Sequence, residues 1–480
     1  MLPAAVGLGD EAEAQTVPYI LGIAHPTGFP LYTLLGWLWS HALVFSTVAW
    51  RLNAFAAFCT AAGVTGVFLL ARELSQQRIV SALAALAFAF GATTWLDALH
   101  ANAQVLSAPL TVFVLWTAIV FARTGNVRFL VASCACNGFA LATHPNALWT
   151  LPAIAVAAVW QRKAIRTGSG LIAIVALIVP LSLYAYFPIR SSIVAAQGLD
   201  PGAAAPLFGA GRLDWDINSP RTFDGFLDEV LGRKYGAAFA VSKMGQSSTL
   251  PLAVQLWGSM LSRQYGVLLL ALAAVGLTAL LYADRRALSI LIVGTVAGIA
   301  FLYSYRHDAH LSRYAFVSFA VVAALSAACV RLTPWLFAQR PVRIVSTVAL
   351  LAVVTFALSQ FRPAGIPLEQ TGLGIIAEVE HDVPDGAIVV AQWDMATPLG
   401  YASYVSHTFG SRTIVGGWPA NFYDESLRWA KVRPTYYLVD GISIMQLMPL
   451  PPGLKSSRGH LFGYGIIEVV PEKSAGRKPL

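Results

Sequence analysis

Apolar runs of bilayer length, separated by short polar breaks, make up most of this chain. Each run predicts a membrane helix of about 20 residues, at 50–72, 78–96, 104–122, 128–143, 145–160, 170–189, 264–283, 287–304, 314–332 and 343–361. The pair 128–143 and 145–160 is short and divided at Pro145, so it reads as two tilted spans or as one broken helix. Residues 31–49 are apolar but interrupted by Gly36, Ser40 and His41. With Trp37, Trp39 and Trp50 at headgroup depth, they predict an interfacial or re-entrant helix.

Two longer stretches depart from this pattern. In 190–263, Ser219-Pro220 reads as a helix start, and Phe223, Phe226, Leu227, Val230 and Leu231 recur at helical spacing up to Gly232. This predicts an amphipathic helix lying on the membrane face. In 365–480, strand-like runs at 387–391, 412–415, 435–439 and 466–470 have helical stretches between the first three, which suggests a small α/β domain. The fold class is therefore mainly α: a polytopic transmembrane helical protein with a small C-terminal α/β extramembrane domain. Its parts are an outer acidic segment and interfacial helix (1–49), a transmembrane domain (50–361) with the outer loop 190–263, and the C-terminal domain (365–480).

Composition supports the membrane assignment. Of 480 residues, 57% are hydrophobic and 12% charged, about half the charged content of soluble domains. The mean hydropathy is +0.64. A net charge of +8 would suit a polyanion partner, but its distribution argues against nucleic acid. Arg72, Arg78, Arg123, Arg128, Arg162, Lys163, Arg166, Arg285, Arg286, Arg331, Arg340 and Arg343 all fall in short loops assigned to the cytoplasm, against two acids there, Glu73 and Asp284. That is the positive-inside signal. Ten spans then put both ends, the acidic N-terminal segment, 97–103, 190–263 and the C-terminal domain outside. Cys59, Cys134, Cys136 and Cys329 lie in apolar segments without redox or zinc spacing, so neither a disulfide nor a metal site is expected from them.

The candidate chemistry sits near the start. Asp10-Glu11-Ala12-Glu13 precedes His25-Pro26-Thr27-Gly28-Phe29-Pro30-Leu31-Tyr32. Carboxylates beside a bilayer are costly unless they face water, a partner or a substrate, and Pro26, Gly28 and Pro30 impose a tight non-helical path. Other strings are weaker. Asp214-Trp215-Asp216 matches a metal-binding DxD but reads as turn and cap chemistry. His307-Asp308-Ala309-His310 lacks a third ligand. His144-Pro145-Asn146 places a histidine at a helix break, either as a site residue or as a satisfied buried histidine. No phosphate-binding loop, GxSxG or HExxH occurs.

Asp10-x-x-Glu13 followed by the histidine-proline-glycine string resembles the opening of the protein O-mannosyltransferase-like membrane glycosyltransferases, a largely bacterial group of the GT-C superfamily. Trp50-Arg51-Leu52-Asn53, Gly138 to His144, and Tyr186 to Arg190 leading through Pro220-Arg221-Thr222 to Gly232-Arg233-Lys234-Tyr235 fit the same group in order. Together they cover roughly residues 10–240. Two features depart from the group. Asn102-Ala103-Gln104 stands where it often has Glu-Val-Tyr, and the group's first span before the acidic segment is missing. The expectation is either an in-frame apolar stretch of about 20 residues encoded upstream or a truncated, non-catalytic member.

The resemblance implies a glycosyltransferase that moves a sugar, with mannose as the candidate, from a polyprenyl-phosphate donor to an acceptor hydroxyl on a protein, glycan or lipid. The reaction would run on the extracytoplasmic face of a bacterial inner or plasma membrane. It would need no nucleotide and no cofactor, and a divalent metal has no support in the sequence. Asp10, matching the group's acidic position, is the expected base, with Glu13 and then Glu11 behind it and His25 beside them. The phosphate partners expected at outer span ends are Arg190, then Arg313, then the Arg233-Lys234 pair, with His144 as a further substrate contact. The competing reading is a transporter or flippase of a lipid-linked sugar. Repeat symmetry and paired midplane breaks would favour it, and the sequence shows no repeat.

Overall fold

A computed structural model describes residues 2–199, 215–233, 249–304, 311–332, 371–440, 454–456 and 464–470, with isolated positions between 344 and 355. The acidic segment is helical: α1 (Asp10–Ile20) carries Asp10, Glu11 and Glu13 in its first turn, where the helix dipole favours carboxylates. The non-helical path expected over 21–29 is present, and Pro30 then opens α2 (Pro30–Ala42). At 13 residues, about 20 Å, α2 is too short to cross a bilayer of ~30 Å. It exposes Leu38 and half-exposes Trp37, as an interfacial helix should.

The bundle follows: α3 (Val48–Ser75), α4 (Arg78–Ala89), α5 (Ala92–Ala98), α6 (Gln104–Thr124), α7 (Val127–Leu141), α8 (Leu151–Trp160), α9 (Thr167–Ile178), α10 (Tyr186–Gln197), α11 (Phe223–Leu231), α12 (Thr249–Ala283), α13 (Arg285–Ser304) and α14 (Phe316–Ala328). The expected count of ten spans is corrected. Among the described residues, five helices are long and apolar enough to cross: Val48–Ser75, Gln104–Thr124, Thr167–Gln197, Val254–Ala283 and Arg313–Leu332. The pair α4 and α5, bent by 66°, raises this to six if taken as one span. The segments around Pro145 are shorter apolar helices, Val127–Leu141 and Pro145–Trp160. The expected 343–361 span lies outside the described residues apart from isolated positions.

The 66° bend frees backbone groups inside the bundle, and Gln264 of α12 takes them up. Its Oε1 accepts from the Thr93 and Thr94 amides at 2.9 and 3.3 Å, and its Nε2 donates to Phe88 O at 3.2 Å and to Thr94 Oγ1 at 2.7 Å. The bundle end that carries the basic loops is tied through Arg123. Its Nε donates to Asp284 at 2.6 Å, and Nη1 bonds Glu73. The two acids of the basic loops are thus its two partners.

Three local expectations change. Helix α11 starts at Phe223, with Thr222 as the cap accepting from Gly225 N at 3.1 Å. Ser219 takes a left-handed turn conformation (φ 47°) instead of capping it. Pro188 lies in the first turn of α10, where no amide hydrogen is needed, so the helical run expected to end at 189 continues to Gln197. The outer loop expected to reach 263 stops earlier, because α12 begins at Thr249 and is interrupted at Gly266 (φ 65°).

The C-terminal part is a mixed five-stranded sheet in the order β2-β1-β3-β5-β4. Parallel β1 (Ile388–Ala391), β2 (Thr413–Gly416) and β3 (Thr435–Asp440) are joined by antiparallel β5 (Tyr464–Val469) and β4 (Leu454–Ser456). The four expected strands are present, and β4 is added at the edge. Helices α15 (Gly372–Asp382), α16 (Trp393–Tyr401) and α17 (Tyr423–Trp429) cover the sheet. One hydrophobic core joins α1, the start of α3 and the helices beneath this sheet, among them Ala12, Leu52, Ile375 and Leu399.

Candidate active site

The site lies at the bundle end opposite the Arg123 network. The path from α1 to the turn at 25–28 is held by the segment after α9. Tyr186 donates to Gly22 O at 2.9 Å, and Arg190 donates from Nε to Leu21 O at 2.6 Å and from Nη2 to Ile20 O at 3.0 Å. Phe187, fully buried, packs under Gly28. Gly28 has φ +76°, and a β-carbon there would collide with the Phe187 ring and come 2.7 Å from Glu229 Oε1. Ile23 also bridges to Asp216, and its amide donates to Trp215 O at 2.6 Å.

Held in this way, His25 folds back onto α1. Its backbone amide donates to Glu13 Oε1 at 2.7 Å, and its Nδ1 bonds Glu13 Oε2. Burial disfavours charge on His25, but the carboxylates of Glu13, Asp10 and Glu229 outweigh it and carry its pKa up to about 10. His25 is therefore an imidazolium at neutral pH. Asp10 is reached from the other side, where the Trp393 indole donates to its Oδ1 at 2.9 Å. Asp10, Glu13 and His25 line one cleft of about 350 Å³ of open space, together with Phe29, Tyr32, Asn102 and Gln104. Ligand atoms of the three lie within 4.8 Å of one another. A divalent cation there would have to displace the His25 imidazolium from Glu13.

Glu11 faces away from His25, accepting from Gln15 at 3.4 Å and pairing with His100 Nδ1 at 2.8 Å. That bond raises the His100 pKa against the effect of its burial. Asn53, from the Trp50-Arg51-Leu52-Asn53 string, locks this wall: its Oδ1 accepts from Gln15 at 3.0 Å and from Ala101 N at 2.9 Å. Arg51 donates to the carbonyls of Ser40, Val44, Phe45 and Ser46.

The basic candidates fare differently. Arg190 sits on the carbonyl end of α1, where a cation complements the dipole. Arg233 is held by its own helix, 2.7 Å from Asp228 Oδ1 and 2.8 Å from Asp224 O. Lys234 and the 307–310 string lie outside the described residues. Arg313 is 8% exposed, with Nε 4.0 Å from Asp97 Oδ1. The neighbouring Tyr314 touches the site through Gln104, which donates to its hydroxyl at 3.4 Å. His144 lies against the cleft wall, stacked on Phe29 at 5.6 Å. Its Nδ1 accepts from Asn146 N at 3.1 Å, and burial lowers its pKa to about 3.

Asp216 is buried and accepts from Ser191 and Arg221, each at 3.0 Å, in keeping with the turn-and-cap reading of that string. Sequence reasoning did not single out Trp393, His100, Asp97 or Glu229. Glu229 had a local signal: it falls four residues after Gly225, on the inward face of α11, opposite the exposed Phe223 and Leu231. Trp393 had one too, directly after the buried strand β1, at the carboxyl edge of parallel strands where α/β sites form. His100 and Asp97 had none.

A helical bundle with a carboxylate cleft at one end, covered by a small mixed sheet, is a GT-C-like fold. The fold is similar to that of ArnT from Cupriavidus metallidurans bound to undecaprenyl phosphate, at a TM-score of 0.52 and 12% identity, covering 97% of this chain and 95% of that one. It is also similar to AglB from Archaeoglobus fulgidus in complex with an inhibitory peptide and a dolichol-phosphate, at a TM-score of 0.51 and 14% identity, covering 91% and 66%. The protein is a multi-pass integral membrane protein. Residues 10–167 match the family of the protein O-mannosyl-transferase TMEM260 N-terminal domain. The chain is 25% identical to protein O-mannosyl-transferase TMEM260 of Mus musculus over 329 residues, 66% of this chain and 44% of that protein. Through this part the chain is similar to the TMEM260 proteins, in the region of the motifs at 10–32, 50–53 and 138–144. The chain spans less than half the length of the curated relatives it matches.

Proposed function

We propose that this protein transfers a sugar, with mannose as the candidate, from a polyprenyl-phosphate donor to an acceptor hydroxyl at the Asp10 cleft, on the extracytoplasmic face of a bacterial inner membrane. The observation that carries the reading is one open cleft at the bundle end in which Asp10 stands beside the Glu13–His25 pair. Support comes from the TMEM260 match over the segment that builds this cleft and from fold relatives solved with undecaprenyl phosphate and with dolichol-phosphate.

The roles divide by geometry. Both oxygens of Glu13 are engaged by His25, and Glu11 is engaged by His100 and Gln15. Asp10, at the acidic position that the resemblance singles out and lining the cleft beside this pair, is the base that takes the acceptor proton as the acceptor oxygen attacks the anomeric carbon and the polyprenyl phosphate leaves. The His25 imidazolium supplies fixed positive charge at the same place, where the departing phosphate gains charge. Arg313, buried near the cleft, is the first candidate for holding that phosphate, and Arg190 and Arg233 are candidates only if they leave their present carbonyl and carboxylate partners.

The test is an assay of the purified full chain with a panel of polyprenyl-phosphate sugars and hydroxyl-bearing acceptor peptides, glycans and lipids. Turnover with at least one donor is expected, and Asp10→Asn should lower it by about 10²–10⁴-fold with folding intact. No turnover with any donor and acceptor, or an Asp10→Asn variant as fast as the parent, would overturn the reading.

A further inference from the structure

The carboxylate on which this reaction depends is held from outside the bundle. Asp10 begins α1, and no side chain caps that helix start. A carboxylate in an open first turn keeps several rotamers unless a neighbour selects one. One such neighbour is Trp393, the first residue of α16, whose indole N–H reaches Asp10 Oδ1 at 2.9 Å. Its ring also stands edge-on to His25, with centroids 5.8 Å apart.

The backbones on both sides are fixed together. Gly9 N donates to Asp394 O at 3.3 Å, and Gly372 N donates to Val6 O at 2.8 Å. Gly9 has φ +54°, and a β-carbon there would collide with the Asp394 carboxylate, so the two chains approach as closely as glycine allows. An indole N–H donates and cannot accept. It can therefore orient a general base without competing for the proton that base must take.

We propose that Trp393 is a positioning residue for the transfer reaction, its indole N–H fixing the Asp10 carboxylate, so that the C-terminal domain is part of the active site. The inference rests on the reading of Asp10 as the base.

The experiment uses the full chain. Trp393→Phe keeps the ring and loses the donor. It should lower kcat by about 10- to 100-fold, as a displaced catalytic group does, with KM for donor and acceptor within about twofold. Tyr401→Phe removes a docking bond elsewhere on the same domain, the 3.3 Å contact from Ala49 N, and should leave kcat within about twofold. A stability cycle of Trp393→Phe and Asp10→Ala should give melting-temperature changes that do not add. The proposal is overturned by a Trp393→Phe kcat within twofold of the parent, by a loss carried in KM, by an equal loss in Tyr401→Phe, or by additive melting shifts. An inactive parent chain would instead sink the transferase reading, whereas an active parent with an unaffected Trp393→Phe would sink this inference alone.

Discussion

One histidine lines the cleft and another backs its wall, with opposite electrostatic tasks. His25 is an imidazolium whose folded pKa, about 10, lies above its ordinary 6.5. The stability it contributes is complete below about pH 6.5 and is lost as pH rises through 10. His144 is buried neutral, its folded pKa lowered to about 3. Its contribution is present above pH 6.5 and is lost as pH falls toward 3, because there the unfolded chain takes up a proton that the folded chain refuses. The melting temperature of the purified protein should therefore fall on both sides of a maximum near pH 6.5–7. Glu13→Gln should flatten the alkaline limb, and His144→Phe the acid limb. A Glu13→Gln variant with an unchanged alkaline limb would mean that the Glu13–His25 pair does not hold the charge. The sequence placed Asp10, Glu13 and His25 in one stretch and the resemblance ranked Asp10 first; the fold adds that both oxygens of Glu13 are spent on His25.

Among the elements, bends and clamps matter more than the straight spans. The α4–α5 bend leaves polar backbone inside a membrane bundle, where each unpaired group is costly. Gln264 pairs three of these groups and the Thr94 hydroxyl from a helix about 170 residues away in sequence. Gln264→Leu keeps the bulk and unpairs the two amides of Thr93 and Thr94, so it should destabilise the protein by about 2–6 kcal/mol, at ~1–3 kcal/mol per buried amide. Chemical denaturation in detergent measures this, and a change below about 1 kcal/mol would show that water or a helix shift re-satisfies the bend. The Tyr186–Arg190 segment shows how a motif can be found for one reason and used for another. Its tyrosine and arginine clamp the carbonyl end of α1, and its phenylalanine packs beneath the turn at 25–28.

At the scale of the whole molecule, the charge pattern and the contacts agree on two distinct ends. Glu73, Arg123, Gln161, Asp284 and Arg286 meet at one end: Arg123 bonds both acids, and Gln161 and Arg286 both donate to Ala122 O. The carboxylate cleft and the C-terminal sheet form the other. Reporter fusions after Arg166 and after Arg362 should accordingly read cytoplasmic and extracytoplasmic, as the basic-loop distribution requires. Reversal of both signals would invert the molecule, and the same side for both would mean an even number of crossings between residues 166 and 362.

The sequence by itself indicated a multi-pass membrane bundle with its basic loops at one end, four of the five strands of the C-terminal sheet and the stretch that lines the cleft. Those properties follow from local information: apolar run length against bilayer thickness, loop charge, β-branched runs, and carboxylates beside a proline-glycine turn. Only the tertiary structure decided which groups meet. Trp393 reaches Asp10 across 383 residues and Glu11 pairs with His100 across 89. Glu229 is brought beneath Gly28 by a separate helix, and Arg190 is drawn to a helix end instead of the cleft. A side chain's partner is set by the path of distant backbone, which leaves no periodicity in the chain. Helix length was undecided for a related reason, because a break such as the one at Gly91 is stable only when another helix, here through Gln264, satisfies the groups it exposes.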